Sequence, residues 1–131
     1  MTKTVAILFY AALAGLAIPV SPALAADDHH HSGKHGGRIV ESGHHHLEIV
    51  AKDGVLEVYV NDEDMKPEII KEAKATAAVL SEGKKEDLTL TADPANVLKG
   101  TGTFKAKKGT TIVVTLTMPG HKPEQARIKL D

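Results

Sequence analysis

Apolar and polar residues alternate along most of the chain after position 38, in short runs that turn residues separate. Leu47, Ile49 and Ala51 occupy every second position of one run, and 56–60 repeats the pattern after Asp53-Gly54. A period of two is typical of a strand that buries one face, and Asp-Gly is a strong signal for a hairpin turn. The pattern therefore predicts an antiparallel hairpin over 47–60.

The same alternation returns in the second half of the chain, over 88–92, 112–118 and 126–130. Asp93-Pro94 and Lys108-Gly109 separate these runs. Several short strands at this spacing are typical of an all-β sandwich. We therefore expect an all-β fold, an antiparallel β-sandwich that is immunoglobulin-like or related to that architecture.

The stretch 66–80 allows two interpretations. It could form a helix, with Asp64 as the N-cap, Pro67 in the first turn and several alanines. It could instead form an extended connection followed by a strand at Ala75–Ser81. We favour the strand, because a sandwich needs it and helix propensity is a weak guide to structure.

The N-terminus has the features of a secretory signal peptide over 1–25. Lys3 provides a positive charge, an uncharged apolar run covers 5–20, and Ala23-Leu24-Ala25 matches a signal-peptidase site. Cleavage could follow Ala25 or Ala26. The apolar run is too short for a transmembrane helix, which needs roughly 20 apolar residues. We therefore expect export to the periplasm, without stable membrane insertion after cleavage.

Composition separates the remaining chain into two parts and excludes several functions. Residues 26–37 are polar and rich in histidine, which predicts a flexible tail before a β-sandwich domain at 38–131. The chain has no cysteine, so it can form neither disulfides nor thiolate metal sites. The formal net charge is −1, and no basic stripe is visible, so nucleic acid is not an expected partner.

Histidine is the most informative residue type in this sequence. Seven of the eight histidines fall between positions 29 and 46, and neutral imidazole is a common ligand of divalent transition metals. We therefore expect a bound Zn(II), Cu(II) or Ni(II) ion, whose identity the pattern leaves open. The candidate metal ligands are His29, His30, His31, His35, His44, His46 and Glu48.

A strand through 44–51 would place His44, His46 and Glu48 on one face. His45 would share the opposite face with Leu47, where we expect a hydrogen-bonded histidine at the margin of the core. We interpret His121 as a loop residue. No nucleophile elbow, phosphate-binding glycine loop or acid–base pair is visible, so we expect no catalytic residues and no enzyme activity.

Two segments carry a resemblance to a known family. His35-Gly36-Gly37-Arg38-Ile39-Val40 and Leu47-Glu48-Ile49-Val50, followed by 54–60 and an acidic turn, resemble a small periplasmic β-sandwich domain. That domain is associated with the membrane-fusion (adaptor) proteins of heavy-metal efflux systems of the resistance-nodulation-division type. The resemblance implies an accessory role in metal handling, with His35, His44 and His46 as the positions to carry over. It also implies an efflux adaptor as a partner, although this chain carries no adaptor hairpin or lipoyl region.

The sequence leads to two functional hypotheses. The first is periplasmic binding of divalent transition metal ions through the His-rich N-terminal region, as an accessory to heavy-metal efflux or resistance. The alternative is an envelope interaction module that docks on an efflux adaptor, with metal binding incidental.

Overall fold

Alternating apolar residues form eight β-strands in residues 31–131, the part of the chain that this computed structural model describes. The strands are β1 (Arg38–Ser42), β2 (His45–Lys52), β3 (Val55–Asn61), β4 (Lys74–Ser81), β5 (Lys84–Asp93), β6 (Val97–Thr101), β7 (Thr111–Thr117) and β8 (Glu124–Lys129). The signal peptide expected at 1–25 lies outside these residues, as do His29 and His30. Within 31–131, no helix is long and apolar enough to cross a membrane.

All neighbouring strands are antiparallel, in the order β1-β2-β3-β6-β5-β4-β7-β8. β5 joins the two halves of the sheet, because 84–90 pairs with β4 and 91–93 pairs with β6. The edge strands β1 and β8 lie beside each other, and the Arg38 side chain bonds the Lys129 carbonyl and the Asp131 carboxylate. The sheet is therefore nearly closed around one core.

The core consists almost entirely of aliphatic side chains from the inward face of each strand. Phe104, after β6, is the aromatic residue that joins them. Outward positions carry polar residues, such as the threonines of β7. The largest fully buried side chains are Leu47, Ile49, Leu56, Val58, Ile70, Val79, Leu98, Ile112, Val114 and Leu116.

The all-β antiparallel fold predicted from the alternation is confirmed. Of the two interpretations of 66–80, the strand is correct: residues 66–73 form a connection without a helix, and β4 follows. Ala75, Ala77 and Val79 are buried at every second position, while β4 pairs with β5 on one side and β7 on the other. Pairing on both sides outweighs the helix propensity of the alanines.

Residues 31–37, the described part of the expected tail, lie against β1 and β2. Ser32 forms a β-bridge with Arg38, and the Ile39 amide donates to the His31 carbonyl at 3.1 Å. Gly37 is buried, and a β-carbon there would overlap the Ile49 carbonyl. This segment is therefore a packed turn, which we call the N-terminal turn.

Candidate metal centre

β2 presents two different faces, as its alternation predicts. His45, Leu47 and Ile49 are buried on the inward face. On the outward face, His46 lies between its Cα partners Glu41 of β1 and Asn61 of β3. The local pairing of three strands therefore sets a histidine beside a carboxylate.

Glu48 also belongs to the outward face, but the N-terminal turn covers it, so that only 3 % of the residue is exposed. Its carboxylate accepts three hydrogen bonds, from the His35 amide at 2.7 Å, from His35 Nδ1 at 2.9 Å and from the Gly37 amide at 3.0 Å. Burial alone raises the pKa of Glu48, but the hydrogen bonds from His35 and Gly37 outweigh it and hold this pKa below its ordinary value. The carboxylate is thus ionised and fully used in holding the turn.

The His35 ring is fixed by two contacts. It stacks on Tyr59, with ring centroids 3.6 Å apart and planes 2° from parallel, and its Nδ1 faces Glu48. An ionised carboxylate can only accept, so Nδ1 carries a proton and the neutral ring keeps its lone pair on Nε2. This carboxylate–histidine arrangement is the one that commonly orients a metal-binding imidazole.

The neutral His46 ring also carries its proton on Nδ1, for a different reason. Its Nδ1 lies 3.1 Å from the Asp62 carbonyl oxygen, which can only accept, so the neutral ring again keeps its lone pair on Nε2. His46 Nε2 lies 3.4 Å from Glu41 Oε1. Zinc bonds of about 2.0–2.2 Å in a tetrahedral arrangement separate two ligand atoms by about 3.4 Å. Nε2 and the carboxylate therefore have the spacing of two ligands on one ion.

His44 lies at the same end of the sheet and is largely exposed. Its Nδ1 is 3.0 Å from Glu63 Oε1, and Glu63 belongs to the turn after β3 that also carries Asp62. The structure thus forms two histidine–carboxylate pairs at this end of the sheet, His44 with Glu63 and His46 with Glu41. We call these four residues the outer cluster.

The remaining candidates divide into three groups. His31 is exposed and contributes its carbonyl to the N-terminal turn, while Glu48 orients His35. His29 and His30 lie outside the described residues. Within 31–131, no group of three or more histidine, aspartate and glutamate side chains already surrounds one position suited to a metal ion. A complete coordination shell would therefore need the exposed side chains to move.

Sequence reasoning missed Glu41 and Glu63 as members of the cluster. Glu41 could have been found from the Gly43-His44 turn, which pairs it with His46 across the β1–β2 hairpin. Glu63 follows β3, the other neighbour of β2, so its acidic turn returns to the end where β2 begins.

Comparisons with family models, with curated proteins and with solved structures give no match to this chain. The resemblance to the adaptor-associated periplasmic domain therefore stays a prediction.

Proposed function

We propose that this protein binds divalent transition metal ions at the outer cluster. The observation that carries the proposal is the orientation of His46, whose Nδ1 is engaged by a backbone carbonyl while Nε2 faces Glu41 at 3.4 Å. A ring held in this way directs its lone pair at an ion without needing to reorganise. His44 supplies a second imidazole, and His29, His30 and His31 of the N-terminal region complete the shell.

The donor atoms favour one class of ion. Imidazole nitrogen with carboxylate oxygen suits Zn(II), Ni(II) and Cu(II), whereas Cu(I) prefers the sulfur ligands that this cluster lacks. His44 and Glu41 are exposed, with side-chain exposures of 75 % and 83 %. An ion at this position remains accessible to other ligands, which suits uptake and transfer better than a permanent structural role.

Our proposal extends to the setting in which the ions are bound. The signal-peptide pattern at 1–25 supports export to the periplasm, and the resemblance over 35–62 supports a role as an accessory to heavy-metal efflux. In this setting, the protein collects ions at the outer cluster and passes them to an efflux adaptor. Glu48 acts by holding His35 and the N-terminal turn in place, and it is not itself a ligand.

Calorimetric titration with Zn(II), Ni(II) and Cu(II) tests this proposal, using the chain from Ala26 onward. We expect the double variant His44→Asn/His46→Asn to weaken binding at least 10-fold, because it removes the oriented His46 Nε2 and the His44 imidazole. Lys34→Asn is the matched control, an exposed change in the N-terminal turn that should leave affinity unaltered. Unchanged affinity in the double variant would refute the outer cluster.

A triple variant, His29→Asn/His30→Asn/His31→Asn, separates the cluster from the histidines before it. We expect this variant to bind more weakly but still saturably. Complete loss of binding would contradict the proposal, since the outer cluster would then hold no ion without the histidines before the sheet.

A further inference from the structure

A second group of polar side chains lies on the opposite side of β2, inside the margin of the core. His45 is only 3 % exposed, and its Nδ1 is 2.7 Å from Glu124 Oε2 on β8. Its Nε2 is 3.6 Å from Glu68 Oε2, on the connection between β3 and β4. The ring of His121, on the turn before β8, has its centroid 5.6 Å from that of His45. We call these four residues the inner cluster.

Two neighbouring residues show that this position is built to hold polar groups. Ser42 is the Cα partner of His45 and is buried, and its Oγ has no hydrogen-bond partner within residues 31–131. Native interiors rarely leave such an atom unpaired. Gly43 has no room for a β-carbon, because the Glu124 carboxylate occupies that space. The turn between β1 and β2 thus admits a carboxylate against a buried histidine.

The hydrogen-bond roles of His45 follow from Glu124. The Glu124 carboxylate accepts a hydrogen bond from Nδ1–H, so a neutral His45 keeps its lone pair on Nε2, directed at Glu68. The 3.6 Å between Nε2 and Glu68 Oε2 is long for a hydrogen bond and close to the spacing of about 3.4 Å between two tetrahedral zinc ligands.

We propose that the inner cluster is a second divalent-cation site, with His45 Nε2, Glu68 and His121 as ligands for a Zn(II)-class ion and Glu124 as the group that orients His45. His45 and Glu68 form its preformed half. His121 lies on the exposed turn 119–123, so its ring can swing towards His45 Nε2 when an ion binds. The ion ties β2 to the β3–β4 connection and to the β7–β8 turn. It therefore stabilises the closure of the sheet, a role separate from ion transfer at the outer cluster.

The test begins from the chain in which His29, His30, His31, His44 and His46 are all changed to asparagine, which removes the proposed outer ligands. We expect this protein to bind one Zn(II) per chain and its unfolding temperature to rise by several degrees with saturating Zn(II). Glu68→Gln and His121→Asn should each reduce affinity at least 10-fold and abolish the rise. Glu72→Gln, an exposed change on the same connection, is the matched control.

Absence of Zn(II) binding in the variant with five histidines replaced, or binding that Glu68→Gln and His121→Asn leave unaltered, would overturn the inner site. The outer cluster is judged separately, by the His44→Asn/His46→Asn double variant of the otherwise natural chain. In the variant that lacks these five histidines, NMR with substoichiometric Co(II) gives an independent reading. We expect Co(II) to broaden the His45 ring signals, and we expect His121→Asn to remove this broadening. His45 signals that Co(II) leaves unchanged would contradict the proposal.

Discussion

At the scale of single residues, neighbouring acceptors decide which nitrogen of a histidine can bind a metal ion. Glu48, Glu124 and the Asp62 carbonyl each engage the Nδ1 of a different histidine. His35, His45 and His46 therefore all keep the lone pair of the neutral ring on Nε2. The many histidines matter chemically because the sheet gives these three a defined orientation.

Glu48→Gln tests how strongly a buried carboxylate holds the N-terminal turn. Glutamine has one neutral acceptor oxygen in place of the two charged oxygens that accept three hydrogen bonds at Glu48. We therefore expect a loss of about 1–3 kcal/mol in the free energy of unfolding at neutral pH. Chemical denaturation measures this loss. Glu72→Gln, on the exposed β3–β4 connection, should change the same quantity by less than about 0.5 kcal/mol.

The pH dependence of that loss follows from the lowered pKa of Glu48. A carboxyl whose pKa is lower in the folded state stabilises the fold above its unfolded pKa of about 4.3, and this contribution disappears as pH falls through the folded value. The difference in unfolding free energy between the natural chain and Glu48→Gln should therefore be largest near neutrality and shrink below about pH 4. A difference that grows on acidification would contradict the assigned direction.

At the scale of elements, the strands could be predicted because alternation is local, and the clusters could not because they depend on pairing. The strand at 75–81 could be predicted from its period of two and from the need of a sandwich for a further strand. Glu41 meets His46 only through the register of β1 on β2. Glu124 reaches His45 from a position 79 residues further along the chain, which no local pattern encodes.

β4 offers a sharp test of inward and outward positions. Val79 is fully buried, whereas the adjacent Leu80 is 49 % exposed. We expect Val79→Ala to lower the free energy of unfolding by about 2 kcal/mol, because it removes buried methyl groups and leaves a cavity. Leu80→Ala deletes more carbon atoms but should cost under about 1 kcal/mol. Denaturant titration of both variants measures these two losses, and equal losses would argue against this register of β4.

At the scale of the whole molecule, the approach of β1 to β8 gives the sheet its single core. Arg38 of β1 binds the Lys129 carbonyl and Asp131, so a side chain reinforces a closure that continuous strand pairing does not provide. The two ends of the described chain, both rich in polar residues, meet at this seam. The outer and inner clusters lie on opposite sides of β2, next to the seam.

Arg38→Met should loosen this seam selectively. It keeps much of the apolar stem while it removes the hydrogen bonds to β8, so we expect local opening to become easier by about 1 kcal/mol. Hydrogen exchange of β1 and β8 amides should quicken about 5-fold. Exchange in β4, which pairs with β5 and β7 away from the seam, should stay unchanged. Uniform acceleration across all eight strands would show a global loss of stability instead.

The most direct test of metal binding at the outer cluster is a two-bond ¹H–¹⁵N NMR spectrum of the histidine rings, recorded before and after one equivalent of Zn(II). We expect His46 to carry its proton on Nδ1 in the metal-free protein at neutral pH, as the Asp62 carbonyl requires. Zn(II) should then shift the His46 Nε2 resonance while Nδ1 stays protonated. A metal-free His46 with its proton on Nε2, or an Nε2 resonance that Zn(II) does not move, would contradict the proposed site.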